Sequence, residues 1–211
     1  SISGVLAGAG RTFCAGADLK ERQTMSEEEV RRYVAKLSTT FTRLARLPVP
    51  TSAAINGTAA GGGCELALAC DFRVLDEGGR IGLPETTLGI VPGAGGTQRL
   101  PRLMGPSRAK RWIFSGRLFT AREALADGAV DLTSPASQVI STATDLLAGM
   151  VHAAPLALRA AKEAIDTGQG LPLEQGLEVE AQAYLRILPT EDRLEALAAF
   201  KEKRPPRFKG R

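Results

Sequence analysis

Behind the acidic run Glu27–Glu29, apolar residues recur at helical spacing: Val30, Tyr33, Val34, Leu37, Phe41 and Leu44. Ser26 followed three residues later by Glu29 is a capping-box pattern, so the spacing predicts an amphipathic helix to about Arg46, stopped by Pro48 and Pro50. Short apolar runs bounded by glycine or polar residues predict strands at Ser1–Leu6, Thr12–Ala15, Thr51–Ile55, Phe72–Leu75 and Ile81–Leu83. Ala- and Leu-rich Cys64–Cys70 predicts a helix, as do Gln98–Leu103, Ser107–Ser115 and Thr120–Asp127. From Ser137 the texture becomes helical throughout: Gln138–His152, Pro155–Thr167, Leu173–Ile187 and Glu191–Lys203, with Thr190 as an N-cap. Short strands alternating with helices define an α/β class. The change of texture places a boundary near Pro135, giving a core over 1–135 and a helical region over 136–211.

With 211 residues, 44% of them hydrophobic, the chain is long enough to bury a core without a metal or disulfide staple. The apolar runs are too short to span a membrane, and no charged-then-apolar leader is visible. Three cysteines, Cys14, Cys64 and Cys70, form no C-x-x-C pair, so a disulfide framework is not expected and a reducing compartment is. The single histidine, His152, excludes a His-rich metal site. The net charge of +4 is local: residues 200–211 hold six basic residues against one acidic, and the rest of the chain is nearly neutral. The tail is therefore read either as a solvated, frayed end or as a contact for a phosphate-bearing ligand. Aromatic content is 5%, with no interleaved basic–aromatic stripe, so base-stacking platforms for RNA are lacking.

The 23 glycines are the compositional outlier, and they cluster. Ala15-Gly16-Ala17-Asp18 and Gly61-Gly62-Gly63-Cys64-Glu65 each sit beside a short apolar strand. Such turns let a ligand approach the main chain, and two brought together would make an oxyanion hole; spacing alone favours two tight turns used only for packing. Gly93–Gly96 lacks the Walker Lys-Ser/Thr ending and is not a dinucleotide fingerprint, so nucleotide-loop readings are rejected. Glu65 and Glu85 are carboxylates within apolar runs, a costly placement unless each is paired or functional. Held near each other they would repel, raising one pKa in a way that suits general acid–base work. Cys14 has no histidine nearby to activate it, His152 reads as a surface or packing residue, and no G-x-S-x-G elbow is present.

Four ordered segments carry a resemblance. Phe13-Cys14-Ala15-Gly16-Ala17-Asp18-Leu19-Lys20, Ala53–Gly57 through Gly61–Ala67, Pro84-Glu85 through Gly89–Leu100, and Ala199–Arg204 together resemble the enoyl-CoA hydratase/isomerase (crotonase) family. Leu19-Lys20-Glu21-Arg22 and Pro189–Glu195 are similar to its methylglutaconyl-CoA hydratase and AU-rich-RNA-binding branch. The resemblance implies a crotonase-like ββα spiral core with a C-terminal helical region that forms a homotrimer or homohexamer. It also implies that the N-terminal part of the usual fold, several dozen residues, is missing before Ser1, and hence a longer polypeptide.

The resemblance further implies an acyl-CoA substrate, with coenzyme A part of that substrate and no separate cofactor or metal. The N–H groups of Ala17 and Gly62 would form the oxyanion hole, and Glu65 and Glu85 would share a water. Ala15, Asp18, Leu19 and Lys20 would line the CoA entry, and Phe200 and Lys203 the nucleotide end. The implied activity is hydration of a 2-enoyl-CoA in fatty-acid or branched-chain acyl-CoA breakdown. The alternatives are isomerisation on the same scaffold, or RNA binding as in that branch. The expected compartment is the cytoplasm, or the mitochondrial matrix of a eukaryote. Leu83 departs from the pattern, standing where many family members carry Gln.

Overall fold

The computed structural model describes residues 3–211, and residues 1 and 2 of the first expected strand lie outside it. The described chain falls into two compact units. One contains Val5–Leu47 and Thr51–Asp145; the other contains Leu146–Arg211 with Pro48–Pro50 and residues 3 and 4.

The strands fall into two sheets. β1 (Gly4–Ala7), β2 (Thr51–Ile55), β4 (Phe72–Asp76) and β7 (Leu132–Ser134) form a sheet of order β1-β2-β4-β7. β3 (Thr58–Ala60), β5 (Arg80–Gly82) and β6 (Phe119–Thr120) form a second of order β3-β5-β6. β2 and β3 are followed by α3 (Gly62–Leu68). β4 and β5 are followed by a 3₁₀ turn (Glu85–Leu88), α4 (Gly96–Met104) and α5 (Pro106–Ser115). Two strands, one to each sheet, then helix: the repeat is a ββα spiral. β2 and β4 run parallel with Ser52 opposite Phe72, and β3 and β5 run parallel with Thr58 opposite Arg80, so successive turns stack in register. β2 is buried at every position, as a parallel strand covered on both faces must be.

The core of this unit gathers Ile55, Leu75, Ile81, Leu83, Leu100, Trp112 and Phe119. Trp112 and Phe119 stack with centroids 4.1 Å apart, and the Trp112 indole donates to Asp127 at 2.7 Å. Arg73 is buried on β4, and its guanidinium donates to the carbonyls of Cys70 (2.7 Å) and Ala129 (2.9 Å) while pairing with Asp131. A buried charge satisfied in this way ties β4 to the turn before β7. α2 (Glu27–Ala45) opens with the expected capping box formed reciprocally between Ser26 and Glu29.

Some expectations are corrected. Thr12–Ala15 is not a strand: Cys14 makes one isolated parallel bridge to Ala59 before Gly16 turns the chain away at φ +93°. α6 (Ala121–Asp127) follows β6 as expected, but the helix expected to reach His152, α7 (Val139–Ala148), ends before Gly149. The helix expected from Cys64 begins two residues earlier, at Gly62. α1 (Leu19–Thr24) was not foreseen and is nucleated by Asp18, whose Oδ1 accepts the Lys20 N–H at 2.8 Å.

In the second unit, α8 (Pro155–Gly168) and α9 (Leu173–Ile187) form an antiparallel hairpin. Gly168 meets Gly176 at its mouth, and Glu163 pairs with Arg186 at 3.0 Å further along. α10 (Glu191–Glu202) follows its Thr190 cap. The basic tail is not frayed. The buried Asp192 accepts the N–H groups of Lys209 (2.6 Å) and Gly210 (2.8 Å), and Glu195 accepts that of Arg207 and a two-pronged contact from Arg204. Among the described residues, no helix is long and apolar enough to cross a membrane.

Candidate active site

The two glycine-rich segments meet in the first unit. Cys14 donates its N–H to the Thr58 carbonyl and accepts from the Ala60 N–H, at 3.1 and 3.0 Å. One residue pair further on, a Cβ on Gly16 would lie 2.9 Å from the Ala60 carbonyl oxygen and 3.6 Å from the Gly62 nitrogen. Gly16 is therefore required twice, by its positive φ and by this approach. Ala17 follows Gly16 in the chain, and Gly62, the first residue of α3, packs against Gly16. Neither N–H has a hydrogen-bond acceptor among the described residues, and Gly62, at the start of a helix, has no intrahelical one to find. Ala15, Asp18 and Lys20 are exposed on the same segment, and Leu19 opens α1.

Gly61 makes the turn before α3 with φ 55° and ψ −124°, a conformation open to glycine. The helix it starts carries Glu65, only 3% exposed. Glu65 Oε1 accepts two backbone amides, from Ala94 at 2.7 Å and Gly96 at 2.8 Å. Burial raises the Glu65 pKa above the usual carboxyl range, while those amides and the Arg99 guanidinium work in the opposite direction.

Glu85 opens the 3₁₀ turn after Pro84, and Thr86 anchors that turn to α5 by donating to the Ile113 carbonyl at 2.6 Å. Glu85 Oε1 lies 3.2 Å from where a Cβ on Gly61 would sit. Its Oε2 is buried without a hydrogen-bond partner. Burial, reinforced by the like charge of Glu65, pushes the Glu85 pKa up to about 7. Sequence spacing could not bring Glu65 and Glu85 together; the fold does, and their environments differ. One carboxyl is held by two amides, and the other has an unpartnered oxygen. Cys64, the residue before Glu65 on α3, feels the charge of both carboxyls, and burial first of all drives its thiol pKa upward, so it stays neutral and is no nucleophile. Leu83 is fully buried and gives the Glu65 side an apolar wall.

The second glycine cluster, rejected as a nucleotide loop, turns out to supply the amides for Glu65. Ala94, Gly96 and Arg99 were not recognised as site residues. The readable signal was Gly95-Gly96 ahead of a helix, which leaves early N–H groups free. Phe200 and Lys203 belong to the other unit. Phe200 is 86% exposed, and Lys203 ends α10 in a left-handed conformation at φ 54°. No cluster of metal-ligating side chains occurs among the described residues.

A ββα spiral that joins two glycine turns to a pair of buried carboxyls describes a class of acyl-CoA enzymes, and comparison agrees. The family model for enoyl-CoA hydratase/isomerase matches residues 3–211. The mitochondrial methylglutaconyl-CoA hydratase of Homo sapiens is 50% identical over 202 residues, which cover 94% of this chain and 60% of that protein. An enoyl-CoA isomerase/hydratase of Mycosarcoma maydis is 49% identical over 208 residues, covering 98% of this chain and 76% of its own. The crystal structure of an enoyl-CoA hydratase from Bacillus anthracis superposes with a TM-score of 0.95 at 51% identity, covering 99% of this chain and 81% of that one. The chain belongs to the enoyl-CoA hydratase/isomerase family and has its crotonase fold. It spans about 60% of the length of the human relative.

Proposed function

We propose that this chain hydrates a 2-enoyl-CoA thioester to the 3-hydroxyacyl-CoA. The observation that carries the reading is the unlike pair of carboxyls, Glu65 fixed by two amides and Glu85 raised to about 7 with a free oxygen. The thioester oxygen is held by the N–H groups of Ala17 and Gly62, which stabilise it as charge moves onto it. Glu65, as carboxylate, takes a proton from water as its oxygen bonds to C3. Glu85, as acid, gives a proton to C2 as the enolate collapses. The pair resets when the proton left on Glu65 reaches Glu85. Both elements of water thus end on the substrate.

The remaining contacts belong to the same proposal. Ala15, Asp18, Leu19 and Lys20 line the CoA entry, and Phe200 and Lys203 serve the nucleotide end of a CoA held by a neighbouring copy. The exposed Leu173, Leu177, Tyr184, Leu194 and Leu197 of α9 and α10 support assembly into a trimer or hexamer. The filled Glu pair favours hydration over isomerisation. RNA binding is not favoured, because tail arginines 204 and 211 are engaged by Glu195, Glu202 and Glu191.

Incubation with a panel of short and branched 2-enoyl-CoA and 3-enoyl-CoA esters, with products identified by mass, tests the reading. Gain of one water on a 2-enoyl ester supports it. Double-bond migration without hydration, or no reaction across the panel, contradicts it.

A further inference from the structure

The loop that cradles Glu65 is itself held by a side chain from α4. Arg99 Nη1 donates to the Ala94 carbonyl at 2.9 Å, while the N–H of the same Ala94 donates to Glu65. The guanidinium lies against Gly95, at φ +116°, leaving no room there for a side chain. Arg99 Nη2 reaches Thr42 of α2 at 3.5 Å, and the Arg99 N–H bonds the Gly95 carbonyl at 2.8 Å. One half-buried cation thus grips the Ala94–Gly96 loop from its far side. The charged and titratable groups around Glu65 are Arg99 from α4, Glu85 from the 3₁₀ turn and the neutral Cys64 of α3. Arg73 of β4 acts on Cys64 and is otherwise engaged by Asp131 and by main-chain carbonyls.

We propose that Arg99 is a positioning residue: by gripping the Ala94 carbonyl it holds the two amides on Glu65 and sets Glu65 apart from Glu85 as the base of the pair. The catalytic half of this statement rests on the hydratase reading. The structural half does not. A cation near a buried carboxylate favours its charged form, and the loop geometry delivers that effect through Glu65's own hydrogen bonds.

The test titrates carbon-13-labelled glutamate carboxyls by NMR in substrate-free protein, with Glu65→Gln identifying the Glu65 signal. Arg99→Gln should raise the Glu65 midpoint by about one pH unit, and Arg99→Lys, which keeps the charge, should recover most of that shift. Should Arg99→Gln not fold, Arg99→Met carries the same test. An unmoved Glu65 midpoint overturns the proposal. So does loss of folding in every variant, which would make Arg99 merely structural. In turnover with crotonyl-CoA, the acidic limb of the pH–rate profile should shift with the midpoint, and kcat should fall more than KM rises. A Glu65 midpoint that shifts in Arg99→Gln, together with a wild-type protein that hydrates nothing, would sink the hydratase reading and leave the positioning of Glu65 standing.

Discussion

The backbone N–H of Gly96 donates to Glu65 Oε1 over 2.8 Å, and a Cβ on Gly96 would stand 3.1 Å from that same oxygen. The hydrogen bond and the absence of a side chain are one requirement. A Cβ would also press on Pro92 at 2.9 Å and Leu83 at 3.0 Å, in a fully buried region. Gly96→Ala should cost about 1–3 kcal/mol of stability by overpacking. It should also lower kcat by at least tenfold with a smaller change in KM, since it displaces a group that acts on the reacting water. Urea denaturation and steady-state kinetics check the two halves separately.

Gly16 offers a parallel case on the other glycine segment. With φ +93° and the Ala60 carbonyl 2.9 Å from its Cβ position, Gly16→Ala forces the two segments apart. The expected cost is about 1–3 kcal/mol in stability. The expected loss in kcat is about 100-fold, the scale for a disabled oxyanion donor.

The Glu85 carboxyl gives a pH dependence with a definite sign. Its pKa is about 7 in the folded chain against an ordinary 4.5, so the folded state binds the proton more tightly. The stabilisation is full below pH 4.5 and is lost as pH rises through 7. Glu65, also raised by burial, contributes with the same sign. Melting temperature should therefore fall across this window, and Glu85→Gln should flatten that fall. Because Glu85 acts as the acid, kcat should decline above about pH 7 in the wild type.

Much of this was legible in the sequence, for local reasons. The Ser26–Glu29 capping box, the strand at 51–55 and the helix over Leu173–Ile187 depend on neighbouring residues, and each appears where periodicity puts it. β6 and β7, two and three residues long, escaped because their pairing partners lie far along the chain and so short a run has no period. Glu65 and Glu85 were marked by apolar surroundings. The amides that hold Glu65 come from residues 29 and 31 positions away, which no local pattern encodes. Of the two readings of the tail, the frayed end fails for the same reason: the tail's ordering depends on Asp192 and Glu195 accepting main-chain N–H groups.

That ordering is testable. Asp192 is 2% exposed and holds Lys209 and Gly210 through charge-assisted bonds. Asp192→Ala should cost about 1.5–3 kcal/mol, and it should expose the bond after Arg207 to trypsin. Chemical denaturation with limited proteolysis reads both effects, and unchanged trypsin resistance would show that the tail is held by other means.

The central claim is that Glu65 and Glu85 act as base and acid on one water. The most direct measurement is kcat for hydration of crotonyl-CoA, followed by loss of the conjugated enoyl absorbance, in wild type, Glu65→Gln, Glu85→Gln and the double variant. Each single substitution should lower kcat by about 10²–10⁴-fold with the fold intact by circular dichroism. The double variant should be little worse than the worse single, as expected for groups that act as a unit. A wild-type rate retained by either folded single variant would contradict the account.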